Sequence, residues 1–134
     1  MKRQFVLTVA ESKRLIAKAV AALPEVQEAM ENRTVVVATG TTNAYVLEEL
    51  WDKKIDKRAY RSGITTPKEP EKDPNPQADK IPDKVFIKGE VADQYDRVTI
   101  APDLKKGDVY IKGANVLNYD EYLAGILIGG MDGA

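Results

Sequence analysis

"VVVATGTTNAYVLEEL", Val35 to Leu50, is the stretch on which the fold turns. With Thr34 its first residues make the β-branched run "TVVVA" over 34–38, apolar on both faces, as a strand inside a covered parallel sheet must be. "NAYVLEELW" puts Tyr45 or Val46, then Glu49 or Leu50, on successive turns and reads as a helix. The small polar residues Thr39, Gly40, Thr41 and Thr42 join the two. A strand, a tight turn and a helix in immediate succession are the repeating unit of an α/β sheet.

Outward from this stretch the alternation continues. "ESKRLIAKAVAAL" carries Leu15, Ile16, Ala19, Val20 and Leu23 at helical spacing, with Ser12 as its expected cap. Pro24 ends that helix or opens the next, "PEVQEAMEN". Downstream, "KVFIKGE" (84–90) and "DVYIKGAN" (108–115) read as two similar strands ending in Ile-Lys-Gly. "DQYDRVTI" has the alternation of a further short strand, and "APDLKKGD" reads as a turn. "YLAGILIGGMDGA" reads as a strand entering a glycine loop. The expectation is an α/β fold with a Rossmann-like, mostly parallel sheet flanked by helices. Residues 1–134 are read as one domain, because the length suits one core and is short for two. Residues 61–84 are read as a long exposed excursion, since five prolines between Pro67 and Pro82 among lysines and acids fit neither a packed helix nor a central strand.

Composition removes whole classes of chemistry. The chain has no cysteine and no histidine, which excludes disulfides, zinc–thiolate sites and histidine bases. A formal net charge of -1 supplies no global field toward nucleic acid or an anionic membrane. The scattered aromatics Tyr45, Trp51, Tyr60 and Tyr119 lack the interleaving of a base-stacking platform. No apolar run approaches the roughly 20 residues that span a bilayer, and "MKRQFVLTVAESKRL" does not read as a signal peptide. The compartment expected is the cytoplasm, with no metal and no cofactor.

In an open α/β sheet, ligands sit at the carboxyl edge of the strands. A turn of the form Thr39-Gly40-Thr41-Thr42-Asn43 before a helix offers backbone N–H groups, hydroxyls and the positive end of the helix dipole there. Phosphate is the anion such a place takes most often. The same residues also serve as a plain helix cap and tight turn, and the pattern admits both uses. Lys112, Gly113 and Asn115 after one strand, and Gly129 and Gly130 after another apolar run, are placed at the same edge. Arg61, on the excursion, is a further candidate anion contact, and Lys88 another lysine that could pair with phosphate. Glu90 follows "VFIKG" as Asn115 follows "VYIKG", so Glu90 is a candidate base or nucleophile at that edge; Asp132 is a second candidate.

"ATGTTNAYVLEEL", "DVYIKGAN" and "GILIGGMDGA" resemble, in order, motifs of the superfamily of ribose-5-phosphate isomerase, glucosamine-6-phosphate isomerase and CoA transferases. The first is similar to that family's Gly-x-Gly-Ser-Thr phosphate loop, the second to its strand leading into Gly-Ala-Asp-Glu, and the third to its glycine-rich stretch before a helix. The three stretches cover roughly a third of the chain, which matches only the first part of such a domain. The resemblance implies a site for a sugar phosphate, CoA or another phosphate-bearing metabolite. Isomerase chemistry does not carry over, because Asn115 and Val116 stand where the isomerase has its acidic pair and an amide accepts no proton. The expectation is a binding domain for a small anionic metabolite. The alternatives are a homo-oligomerisation or regulatory module without a small ligand, and an enzyme using Glu90 or Asp132.

Overall fold

The structure is a computed structural model that describes residues 3–61 and 80–126. Its elements are α1 (Val9–Ala21), α2 (Pro24–Asn32), β1 (Thr34–Val37), α3 (Thr41–Trp51), β2 (Lys84–Ile87), β3 (Glu90–Val91), β4 (Val109–Ile111), β5 (Val116–Asn118) and β6 (Leu123–Gly125). Strands β3-β2-β1-β4 form one sheet in that order, and β5-β6 form a separate two-stranded one. The protein is thus α/β, with β1 central and buried as its sequence requires.

Val35 and Val37 point into a core shared with Ala29 of α2, Ala44 and Leu47 of α3, and Ile55, Tyr60 and Phe86. Val36 points the other way, into a smaller cluster with Val85, Ala92 and Ile100. The sheet is therefore covered by α2 and α3 on one face and by the 92–104 segment on the other.

The mostly parallel sheet expected from the sequence is corrected to a mixed one. Only β1 and β4 run parallel, pairing Val37 with Ile111, whereas β1–β2 and β2–β3 are antiparallel. The path of the chain gives the reason. Helix α3 leaves the carboxyl edge of β1, and the segment after Asp52 climbs back to that edge, where the Gly40 amide donates to the Tyr60 carbonyl at 3.1 Å. Strand β2 starts there, with Lys84 opposite Val37, and can only run backward. The Tyr60 hydroxyl secures the return by donating to the Val37 carbonyl and accepting from the Lys84 amide at 3.2 Å. Burial pushes its phenol well above the usual tyrosine range, so it stays a neutral donor.

Other expectations need revision. The cap of α1 is Thr8, in a capping box with Glu11, and not Ser12. Leu15 and Ile16 are 59% and 49% exposed, because α1 turns the face of Arg14 and the fully buried Ala17 toward the rest of the fold. Arg14 reaches the buried Glu48 and also Glu49, the latter at 2.6 Å. "DQYDRVTI" forms turns, with Asp96 accepting the amides of Val98 and Thr99 at 2.8 Å. The excursion is shorter at its end than 61–84, since Ile81 is half-buried and Asp83 and Lys84 are buried; residues 62–79 lie outside the described residues. Among the described residues, no helix is long and apolar enough to cross a membrane.

Two predictions follow from these anchors. Tyr60→Phe removes the bond donated to the Val37 carbonyl and the one accepted from the Lys84 amide, and should cost about 1–3 kcal/mol in denaturant unfolding. At Glu48, burial raises the carboxyl, but the Ile55 amide, the Lys57 ammonium and the Arg14 guanidinium outweigh it and hold it at about 2, against an ordinary 4.5. A depressed carboxylate stabilises the fold fully above about pH 4.5, and that contribution fades as the pH falls toward 2. Glu48→Gln should lose about 2 kcal/mol at neutral pH, less than for a fully buried pair because Arg14 and Lys57 keep partial solvent access. It should also flatten the acid limb of stability measured between pH 5 and 2.

Candidate functional site

Because β1 and β4 are parallel, their carboxyl ends open on the same edge. There the turn 39–43, Arg61 and residues 112–115 enclose a cleft of about 340 Å³. Thr39, Gly40, Thr41, Thr42, Asn43, Lys112, Gly113 and Asn115 all line it. Arg61 joins them, as its candidacy for an anion contact required.

Glu90 is not among them. It sits beyond the Lys88–Gly89 turn, paired with Ile87, and Ile87 stands opposite Thr34 at the amino end of β1. The antiparallel direction of β2 has carried Glu90 and Lys88 to the edge away from the cleft, although "VFIKG" and "VYIKG" look alike. Asp132, Gly129 and Gly130 lie outside the described residues.

The turn is less free to hold a ligand than its composition suggests. The Ala38 amide donates to the Ile111 carbonyl at 3.0 Å and the Gly40 amide to Tyr60. The Thr39 amide donates to the buried Asp83 at 2.6 Å, and its hydroxyl accepts from Arg97 at 3.2 Å. Asn43, 4% exposed, spends its side-chain N–H groups on the Ala38 and Ile111 carbonyls at 2.8 and 3.2 Å, tying β1 to β4 at the cleft floor. Thr39 and Asn43 are thus builders of the cleft. Asp83, Arg97 and Tyr60 share that work, and nothing in their local sequence marks them for it.

What faces the cleft is the start of α3. Gly40 is its N-cap, with no side-chain hydrogen bond and no acid in the first turn. Among the described residues the amides of Thr41, Thr42 and Asn43 meet no acceptor, and Ala44 is the first to bond back, to the Gly40 carbonyl at 2.8 Å. Among the described residues neither Thr41 nor Thr42 caps the helix with its side chain, so the plain-cap alternative is not the use the turn is put to. Instead the Thr41 hydroxyl accepts from Lys13 of α1 at 2.9 Å, a residue that no local pattern singles out. A cation beside a helix N-terminus is opposed by the dipole. Lys112 and Arg61 add two more positive charges, and among the described residues no carboxylate lines the cleft.

Gly40 has an extended backbone (φ 169°), and a Cβ there would approach only Asn43, at 3.8 Å. A Cβ on Gly113 would meet nothing within 4 Å. The fold therefore demands glycine at neither position, and the two keep the cleft walls low.

The chain matches no known protein-family model, no curated protein and no solved structure at a significant level. Its chemistry has to be read from the cleft itself.

If Asn43 is a builder, Asn43→Asp should destabilise the fold by about 2–4 kcal/mol, because a carboxylate would face two carbonyls in place of two N–H donors. The loss should shrink on acidification, as the carboxyl protonates and recovers one donor; urea unfolding at pH 4 and 7 tests this.

Proposed function

We propose that the protein binds a small anionic metabolite, of phosphate-bearing type, with its anion at the first turn of α3. One observation carries the reading: three amides at the positive end of a helix, without an acceptor among the described residues, belong to a cleft whose described lining holds Arg61 and Lys112 and no acid. The order of motifs similar to the sugar-phosphate isomerase and CoA-transferase superfamily agrees with it. In this reading the parallel pair β1 and β4 with α3 between them is the Rossmann-like part of the fold, and the cleft stands at its carboxyl edge. A volume of about 340 Å³ lies at the low end for ligand sites, which favours a sugar phosphate over CoA.

The role proposed is binding without turnover. Among the described residues no carboxylate reaches the cleft lining, and Asn115 occupies the position where the resembling isomerase has an acid. Glu90, at the far edge, is set aside as a base.

The test is a thermal-shift series with inorganic phosphate, ribose 5-phosphate, nucleotides and CoA. A probe at about 100 times its dissociation constant should add roughly 2.7 kcal/mol, several degrees for a chain of this size. Lys112→Gln and Arg61→Gln should each weaken the effective probe about tenfold with little change in the ligand-free melting temperature. No shift across the panel, or shifts indifferent to both substitutions, would overturn the reading.

A further inference from the structure

Strands β5 and β6 leave the main sheet and stand apart as a hairpin. They pair with each other and make no extensive contact with another element among the described residues. Val116, Leu117, Tyr119, Tyr122 and Leu123 are 58–84% exposed, and Ile126 is 50% exposed. A two-stranded hairpin alone is marginal in water, and apolar surface on this scale destabilises it further unless something covers it. We propose that the cover is the same hairpin of a second copy, packed antiparallel about a two-fold axis. This inference is independent of ligand binding in the cleft.

Two features select a second copy. Between Val116 and Ile126 there is no lysine, arginine or proline, the residues that usually guard an open strand edge against its like. The only charges are Asp120 and Glu121, both in the turn. An antiparallel two-fold arrangement sends the two acidic turns to opposite ends, whereas a parallel one would bring four carboxylates together. A basic partner would find charge only at the tip and none along the strands.

Sedimentation velocity up to about 100 µM tests the proposal, with a dimer expected. Leu117→Lys combined with Leu123→Lys should weaken it on the order of 100-fold while the melting transition stays cooperative. Leu15→Lys, on the exposed face of α1, should leave it unchanged. The chain has no cysteine, so Leu117→Cys should oxidise to a covalent dimer and Val98→Cys should not. This arm does not depend on the lysine variants folding. A monomer at every concentration would overturn the proposal. So would a dimer broken by Leu15→Lys and not by the hairpin pair, or hairpin amides protected from exchange in a monomer, since the chain's own residues would then be the cover.

Discussion

The Tyr60 hydroxyl is the constraint on which the cleft depends. It joins the last carbonyl of β1 to the first amide of β2, while its own backbone carbonyl receives the Gly40 amide. One buried residue thereby fixes where the chain returns after α3, the direction in which β2 runs and the height of the turn above the sheet. Asp83, next to Lys84 at the same edge, can then accept the Thr39 amide. A phenol suits this position because it gives and takes a hydrogen bond while burying a ring.

Around this frame the electrostatics of α1 and α3 divide in two. At the far end of α3 the charges are closed: Glu48 is surrounded by Arg14, Lys57 and the Ile55 amide, and the cations also lie over the Tyr45 ring at 4.8 Å. At the near end the balance is open. Lys13, one residue before Arg14, is held by a neutral hydroxyl at the positive pole of the helix. The Arg14–Glu48 pair that docks α1 also brings Lys13 there, so a stabilising contact carries an unfavourable one with it. An anion at the first turn of α3 would turn that repulsion into attraction, and for this reason the proposed function rests on this end of the helix.

Local signals were legible where one element decides them. The β-branched run 34–38, the helix after Thr42, the proline opening α2 and the convergence of 39–43 with 112–115 all follow from periodicity and strand direction. The direction of β2 was not legible, because an apolar strand has the same pattern parallel or antiparallel, and Tyr60 decides it from a distance. The misplacement of Glu90 follows from that single ambiguity. Thr39 and Asn43 do line the cleft, but their polar groups are taken up in its frame, since the sequence shows which donors exist and not which are already bonded. The exposed face of α1 was misread for a related reason. Its apolar spacing is real, but the face that docks is the one carrying Ala17 and Arg14, which spacing alone does not single out.

The cleft and the hairpin share a wall. The Ile111 carbonyl, at the end of β4, accepts from both Ala38 and Asn43, and four residues later the Asn115 amide donates to the Gly125 carbonyl at 2.9 Å. Residues 112–115 are therefore pinned by the sheet at one end and by the hairpin at the other, with open space around Gly113 between. Whatever steadies the hairpin steadies Asn115 at the cleft. Under the proposed self-association this makes assembly and ligand binding two loads on one short segment. Coupling of that kind is reciprocal: a ligand that orders 112–115 strengthens the dimer by the factor with which the dimer strengthens the ligand.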